Sequence, residues 1–394
     1  MDEYGHISRS VQRYRCEECE KSFTLQRQKK RRYSWQLAVE LTRRHVEERA
    51  SYRVLAKRCR EKYGVKINAM SVQRLVLQVA EECKTPAEMS KELGLDWRGF
   101  MIVDDKHISI RGKYVVWYVC VDRGGDIFHV DVMPAQTVGG MVMFFEVIRD
   151  DLGYPMKGLT TDEESLFALA YRRVYPGKPH QICIKHVLDG IDRRIGYTPR
   201  QRDLERWKRV IRDVVRSLPD RSQEGSYERS MDEVTRGVKR IKELKLSLGP
   251  IERLRKSLRR ILLSKTYETA LARWAAFHRH PDRGHTAHRI ITETIGRKWR
   301  SLTVHFDHPG MPRTNNDAES VMRQLEQRLK TIGSFGKIHN AQAYINLLVA
   351  YLRLKPYTDC RGSRKRRNGY SRLELAGAEI SKNDWIRIAL KRRV

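Results

Sequence analysis

Apolar residues recur along this chain with two different periods, and the switch between them divides it. Residues 34–93 follow the helical period. Ser34 is placed to cap a helix carrying Leu37, Val39, Leu41 and Val46, and Ser51 opens SYRVLAKRCREKYG, which ends on a glycine suited to a helix C-terminus. A short link at 65–69 leads into a third helix over 71–79, SVQRLVLQV. From about residue 98 the period shortens. Residues 100–103 and 114–121 are apolar runs, and 127–132 alternates Phe128, Val130 and Val132 with His129 and Asp131. Gly112-Lys113 and Arg123-Gly124-Gly125-Asp126 supply turns, so the spacing predicts three consecutive antiparallel strands. A helix over 137–152, a strand over 157–161, a helix over 165–174 and a short strand over 181–184 follow.

The resulting order, βββαβαβ, is that of a ribonuclease H-like core, where the first and fourth strands are neighbours. A mixed α/β class is therefore expected, with an all-α insertion and a helical N-terminal segment. The predicted segments are a partial zinc-ribbon-like basic stretch (1–33), a helix-turn-helix domain (34–95), the first part of the core (98–186), a helical insertion (187–310), the last part of the core (311–356) and a basic tail (357–394). Within the insertion the pattern gives helices over 201–218, 227–248 and 251–277. Residues 340–354 form another periodic helix near the end.

Charge narrows the class of partner. Lys and Arg number 79 against 48 Asp and Glu, a formal net charge of +31. Such a surface favours a polyanion through counterion release, and double-stranded DNA is the leading candidate. Hydrophobic residues make up 40% of 394, enough for real cores in two or three domains. The longest strong apolar run, YVVWYVCV at 114–121, falls far short of the ~20 residues that cross a bilayer. No secretory signal pattern opens the chain. Seven scattered cysteines, an odd count, argue against a disulfide framework, so reduced thiols and a cytoplasmic, nucleoid-associated protein are expected.

Candidate DNA-binding residues are the basic run Lys29, Lys30, Arg31 and Arg32, and the polar face Ser71, Gln73, Arg74 and Gln78 of the third helix. A plain three-helix bundle with a solvated polar face is the alternative for that segment. Cys16 and Cys19 form a C-x-x-C knuckle, but tetrahedral zinc needs four ligands and no second pair precedes this one. Zinc is not expected here: either the knuckle is degenerate, or the start lies downstream of the true one.

Three acids stand out for chemistry: Asp104 in FMIVDDKHISI, Asp162 in GLTTDEES and Glu319 in TNNDAESVMRQLEQRLK. The first two end apolar runs that read as strands, and the third opens an amphipathic helix. Folding that brings them together makes an all-oxygen site for Mg2+ or Mn2+. Two such ions roughly 3.5–4 Å apart activate a water or 3′-hydroxyl on one side of a phosphodiester and stabilise the leaving oxygen on the other. Asp104 would be shared between the ions, with Asp162 completing one site and Glu319 the other. Each acid also has a structural reading: Asp162 as a helix cap, Glu319 as the partner of Asn316 in a capping box, and Asp104 and its neighbour Asp105, either of which the pattern allows as the ligand, as strand-end turn residues.

The segments VDDKHISIRGK, GLTTDEES, CIKH and TNNDAESVMRQLEQRLKTIGSF together resemble the DDE transposases of prokaryotic insertion sequences, of the kind with a helical insertion before the last acid and kin to the Mutator-like group. The resemblance runs from Cys16 to about Leu354. It implies that Asp104, Asp162 and Glu319 are the catalytic acids, that Cys183 and His186 are the C-x-x-H signature supporting them, with Asn316 as an accessory, and that Arg323 and Lys330 on the Glu319 helix meet DNA. It implies Mg2+ or Mn2+, two ions per site, element-end and target DNA as substrates, and a dimer or larger assembly on DNA. The rival readings are a DNA-binding regulator derived from such an enzyme, and another nuclease on the same fold.

Overall fold

The computed structural model describes residues 2–8, 11–18, 20–24, 33–163, 165–329, 332, 335–380 and 384–391. The chain divides into two compact units, one ending at Val79 and the other beginning at Ala80.

In the first unit, β1 (Asp2–Ser8), β2 (Val11–Arg15) and β3 (Ser22–Thr24) form an antiparallel sheet in the order β1-β2-β3. Periodicity suggests no strands in this polar stretch. In the turn between β2 and β3, the Cys16 N–H donates to the Lys21 carbonyl at 3.0 Å, and the Glu20 N–H to the Cys16 carbonyl at 2.9 Å. The expected helices follow. Ser34 caps α1 (Trp35–Glu47), Ser51 caps α2 (Tyr52–Tyr63), and Gly64 closes α2 with φ of 61°. α3 (Ala69–Glu81) buries Val72, Val76 and Val79 on one side and leaves Arg74 and Gln78 exposed on the other.

The second unit opens with α4 (Pro86–Leu93), held by a Thr85–Glu88 capping box. β4 (Phe100–Ile110), β5 (Lys113–Asp122) and β6 (Ile127–Met133) make the predicted meander. α5 (Val138–Glu146) is prolonged by a π-helical turn at Val147–Asp151, and leads to β7 (Gly158–Thr161), α6 (Ser165–Val174) and β8 (His180–Ile182). The five strands are ordered β6-β5-β4-β7-β8, with β7 parallel to β4 and β8 parallel to β7. The expected adjacency of first and fourth strands is thus present. The first strand is longer than its apolar run: it continues to Ile110 because β5 pairs with it along its whole length, even where the residues are polar.

Five helices follow β8: α7 (Ile184–Arg194), α8 (Tyr197–Arg216), α9 (Glu224–Leu262), α10 (Tyr267–Phe277) and α11 (Thr286–Asp307). The sequence pattern places a break at Gly249-Pro250, yet α9 runs straight through Pro250. A continuous buried stripe of Leu244, Leu248, Ile251, Leu254 and Leu258 outweighs the one backbone hydrogen bond a proline removes. The break falls instead at 263–266, before α10.

α12 (Asn316–Leu329) and α13 (Ile338–Leu354) return to the sheet. Alternation along the strands sends Met101, Val103, Tyr118, Cys120 and Leu159 into a core with Phe144, Phe145, Phe167 and Tyr171 of α5 and α6. The positions between them, Ile102, Trp117, Val119 and Val121, are buried on the opposite face, which α12 and α13 cover. α4 packs against β6 and α13. There Arg353, with no exposure, makes a two-pronged ion pair with Asp126 at 2.8 and 2.9 Å and donates to the Pro86 carbonyl and Ser90 Oγ.

The segment expected to be a basic tail is folded. It contains a 3-10 turn at Gly362–Arg367, α14 (Arg372–Leu375) and α15 (Trp385–Ala389), and it buries Leu373, Ile386, Ala389 and Leu390. Its many cations mask this apolar set in the sequence. Lys84 N–H donates to the Ala389 carbonyl and Lys391 N–H to that of Glu82, so residues 389–391 lie beside the start of the unit.

Candidate active site

Asp104 and Asp162 are brought level by strand register. β4 and β7 pair Phe100 with Gly158, Met101 with Leu159 and Ile102 with Thr160, a constant offset of 58. The two aspartates are also 58 apart, 162 − 104, so each stands two residues beyond the last pair, on the α12 side of the sheet. The Thr160 hydroxyl, donating to the Pro312 carbonyl at 2.8 Å, fixes the segment entering α12 against this edge. Asp162 directly follows β7, as expected from the sequence. Asp104 does not end its strand; it lies mid-strand, where β7 stops and one side of β4 opens.

Glu319 sits in the first turn of α12, and its N–H donates to the Asn315 carbonyl at 3.0 Å. The helix therefore opens on Asn315, one residue before the position that the capping-box spacing suggested. Asn316 is exposed and Asn315 is fully buried. Asn315 Nδ2 donates to Asp104 Oδ1 at 3.1 Å, and the Cys183 thiol donates to Asn315 Oδ1 at 3.1 Å. Cys183, also fully buried, precedes α7. The first turn of α7 aims Lys185 and His186 at Glu319: Lys185 Nζ is 2.5 Å from Oε2 and His186 Nε2 is 3.7 Å from Oε1.

Asp104, Asp105, His107, His186, Glu319 and Arg323 line an open cleft of about 520 Å³. Asp162 is not among its lining residues, although its charge reaches Asp104. Burial, followed by the charges of Asp105, Glu319 and Asp162, raises the Asp104 pKa from 3.8 to about 7. The hydrogen bond from Lys185 to Glu319 raises the lysine above its ordinary value and keeps it cationic. Burial also raises the Cys183 thiol, so that it has a hydrogen to donate.

The donor set is all oxygen, which suits a hard divalent cation. Glu319 Oε1 is buried without a hydrogen-bond partner, and the Asp104 carboxyl is raised to about 7 by burial and by the acids around it, a crowding that a bound cation would relieve, so both groups fit one. Among the described residues, however, no group of three or more His, Cys, Asp or Glu side chains is gathered closely enough to hold a metal ion as it stands. The ammonium of Lys185 occupies one Glu319 oxygen, and Asn315 occupies one Asp104 oxygen.

Elsewhere, Arg74 and Gln78 are exposed on α3, while Ser71 and Gln73 are half-buried. Arg323 is exposed on α12. Cys16 is half-exposed in the turn after β2. Cys19, Lys29, Lys30, Arg31, Arg32 and Lys330 lie outside the described residues. No helix among the described residues is long and apolar enough to cross a membrane. Sequence reasoning missed Asn315 and Lys185. The spacing of Asn315, Ala318 and Met322 places the asparagine on the buried stripe of α12, a signal that separates it from Asn316. Nothing in the pattern marks Lys185.

No family model matches the chain, and no curated protein matches it.

Proposed function

We propose that the second unit is a ribonuclease H-like nuclease core and that the chain is a DDE-type transposase, which cuts DNA at the ends of its own element and joins the freed 3′-hydroxyls to target DNA. The observation that carries this reading is the shared offset of 58: the β4–β7 register and the Asp104–Asp162 spacing coincide, and Glu319 lines the same cleft as Asp104. The strand order β6-β5-β4-β7-β8, with three antiparallel strands followed by two parallel ones, supports it.

Asp104, Asp162 and Glu319 would hold divalent cations of the Mg2+ or Mn2+ kind, two per site. Bound there, such ions supply the charge that activates a water or 3′-hydroxyl and stabilises the leaving oxygen. The chain's own groups do the rest. Asp104 would release to solvent in the open cleft whatever proton its crowded, buried position retains. Glu319 leaves Lys185, whose ammonium turns to a substrate phosphate, and Arg323 on the cleft wall steadies the same backbone. The exposed face of α3 reads element ends, and the basic surface of α8 to α11 holds flanking duplex without base readout. Two ends must be brought together, so a dimer or larger assembly on DNA is part of the proposal.

The Lys185–Glu319 ion pair favours a second reading, a DNA-binding regulator descended from such an enzyme, with its acids unused. One assay separates the two. With the gene's flanking DNA as substrate and Mg2+ present, the wild-type chain should bind and cut, while Asp104→Ala should bind nearly as well and not cut. Binding without cutting by the wild type would select the regulator, and loss of binding together with cutting in a folded variant would refute the division of labour.

A further inference from the structure

We propose that Asn315 is the positioning residue of this site, its amide locked by the Cys183 thiol so that Nδ2 always faces Asp104. The inference rests on the reading of Asp104, Asp162 and Glu319 as the ligands of a metal-dependent nuclease; it adds Asn315 and gives the Cys183 thiol a stated task, that of orienting the Asn315 amide.

Asn315 is tied to the elements of all three acids, to two of them directly and to the third through Cys183. Its side chain donates to Asp104 on β4, and its carbonyl accepts the Glu319 N–H in α12. Its Oδ1 accepts from Cys183, whose own N–H donates to the carbonyl of Thr161, the residue before Asp162, at 2.7 Å. The connection is doubled: the Asn315 N–H reaches Cys183 Sγ at 3.5 Å, and the Ile184 N–H donates to the Arg313 carbonyl at 3.0 Å. Neither Asn315 nor Cys183 is exposed, so water does not complete or replace these bonds.

An amide has two faces of opposite polarity, and half a turn about its last bond would set Oδ1 against the Asp104 carboxylate. The thiol weighs against that alternative: its sulfur already takes the Asn315 backbone N–H, and its remaining hydrogen is the donor it offers the amide. An S–H pointed at Oδ1 satisfies the oxygen on the far side from Asp104 and leaves only N–H for the acid. One Asp104 oxygen is then engaged, which fixes how the carboxyl that lines the cleft is presented to a cation. Groups that orient ligand carboxylates in this way typically change metal affinity ~10–100-fold when removed.

The test is the Mn2+ dissociation constant of the full-length chain without DNA, measured from the paramagnetic resonance signal of free Mn2+, with circular dichroism to confirm folding. Cys183→Ala should weaken binding about tenfold, equivalent to about 1.4 kcal/mol. Cys183→Ser, whose hydroxyl keeps a donor, should restore it to within about threefold of the wild type. Asn315→Ala should weaken binding at least as much as Cys183→Ala; should it fail to fold, the Cys183 pair decides the matter. Wild-type affinity in folded Cys183→Ala, or equal losses in the alanine and serine variants, would overturn the proposal, because a purely packing role does not distinguish a hydroxyl from a methyl by its hydrogen. Mn2+ binding by the wild type that Asp104→Asn leaves unchanged, or no binding at all, would instead remove the underlying reading and the inference with it.

Discussion

Replacing Asp104 with asparagine should make the metal-free protein more stable at alkaline pH. Asp104 holds its proton up to about pH 7, whereas the unfolded chain releases it near 3.8. Between those values the folded state binds more protons than the unfolded state, so stability falls as pH rises, the reverse of the usual salt-bridged carboxylate. The interval from 3.8 to about 7 is roughly three decades of proton affinity, each worth about 1.4 kcal/mol, so the ceiling is about 4 kcal/mol. Neighbouring acids share part of that penalty, which leaves roughly 2–4 kcal/mol at about pH 8 and about 1 kcal/mol or less near pH 4.5. Asparagine keeps the oxygen that accepts from Asn315 Nδ2 and carries no charge. Urea denaturation of both chains in chelator at the two pH values measures the difference. Saturating Mg2+ should then stabilise the wild type and leave Asp104→Asn unmoved. An asparagine variant that is no more stable at pH 8, or whose gain is the same at both pH values, would refute the crowded, protonated carboxyl.

Lys185→Ala should bind Mn2+ more tightly. Removing a partly exposed ion pair worth about 1 kcal/mol from Glu319 predicts roughly a fivefold gain, and weaker binding would show that the lysine does not compete for that oxygen. Arg74→Ala should weaken binding to element-end duplex about tenfold or more, since a good arginine–base pair gives roughly 1–3 kcal/mol of discrimination. Binding to scrambled duplex should change far less and still fall steeply with salt, and equal losses on both duplexes would sink the assignment of α3 as the reading helix.

Much of this architecture is legible in the sequence because local signals agree with tertiary ones. Ser34, Ser51 and Gly64 mark helix ends by their own chemistry, and the apolar runs at 100–103 and 114–121 report strands covered on both faces. What stays hidden depends on partners. β4 continues past Val103 because β5 pairs with it, which no property of DDKHISI announces. Pro250 reads as a stop until the buried stripe on both sides of it is counted, and the folded C-terminal segment hides Leu373, Ile386 and Leu390 among cations. At the site, the three acids are visible as motif residues, and the register then places two of them level. Asn315 is easily passed over for its neighbour because both asparagines satisfy the motif, and only the helix phase separates them. Lys185 is invisible because a lysine between two notable residues in a chain this basic carries no information.

Anomalous diffraction from crystals of the full-length chain grown with Mn2+ tests the central claim most directly. The account predicts two peaks within about 4 Å of each other, both beside Asp104, one also reached by Asp162 and the other by Glu319, with Lys185 turned away from Glu319 and both peaks lost in Asp104→Asn. Saturating Mn2+ with no peak at these acids, and Lys185 still on Glu319, would contradict it.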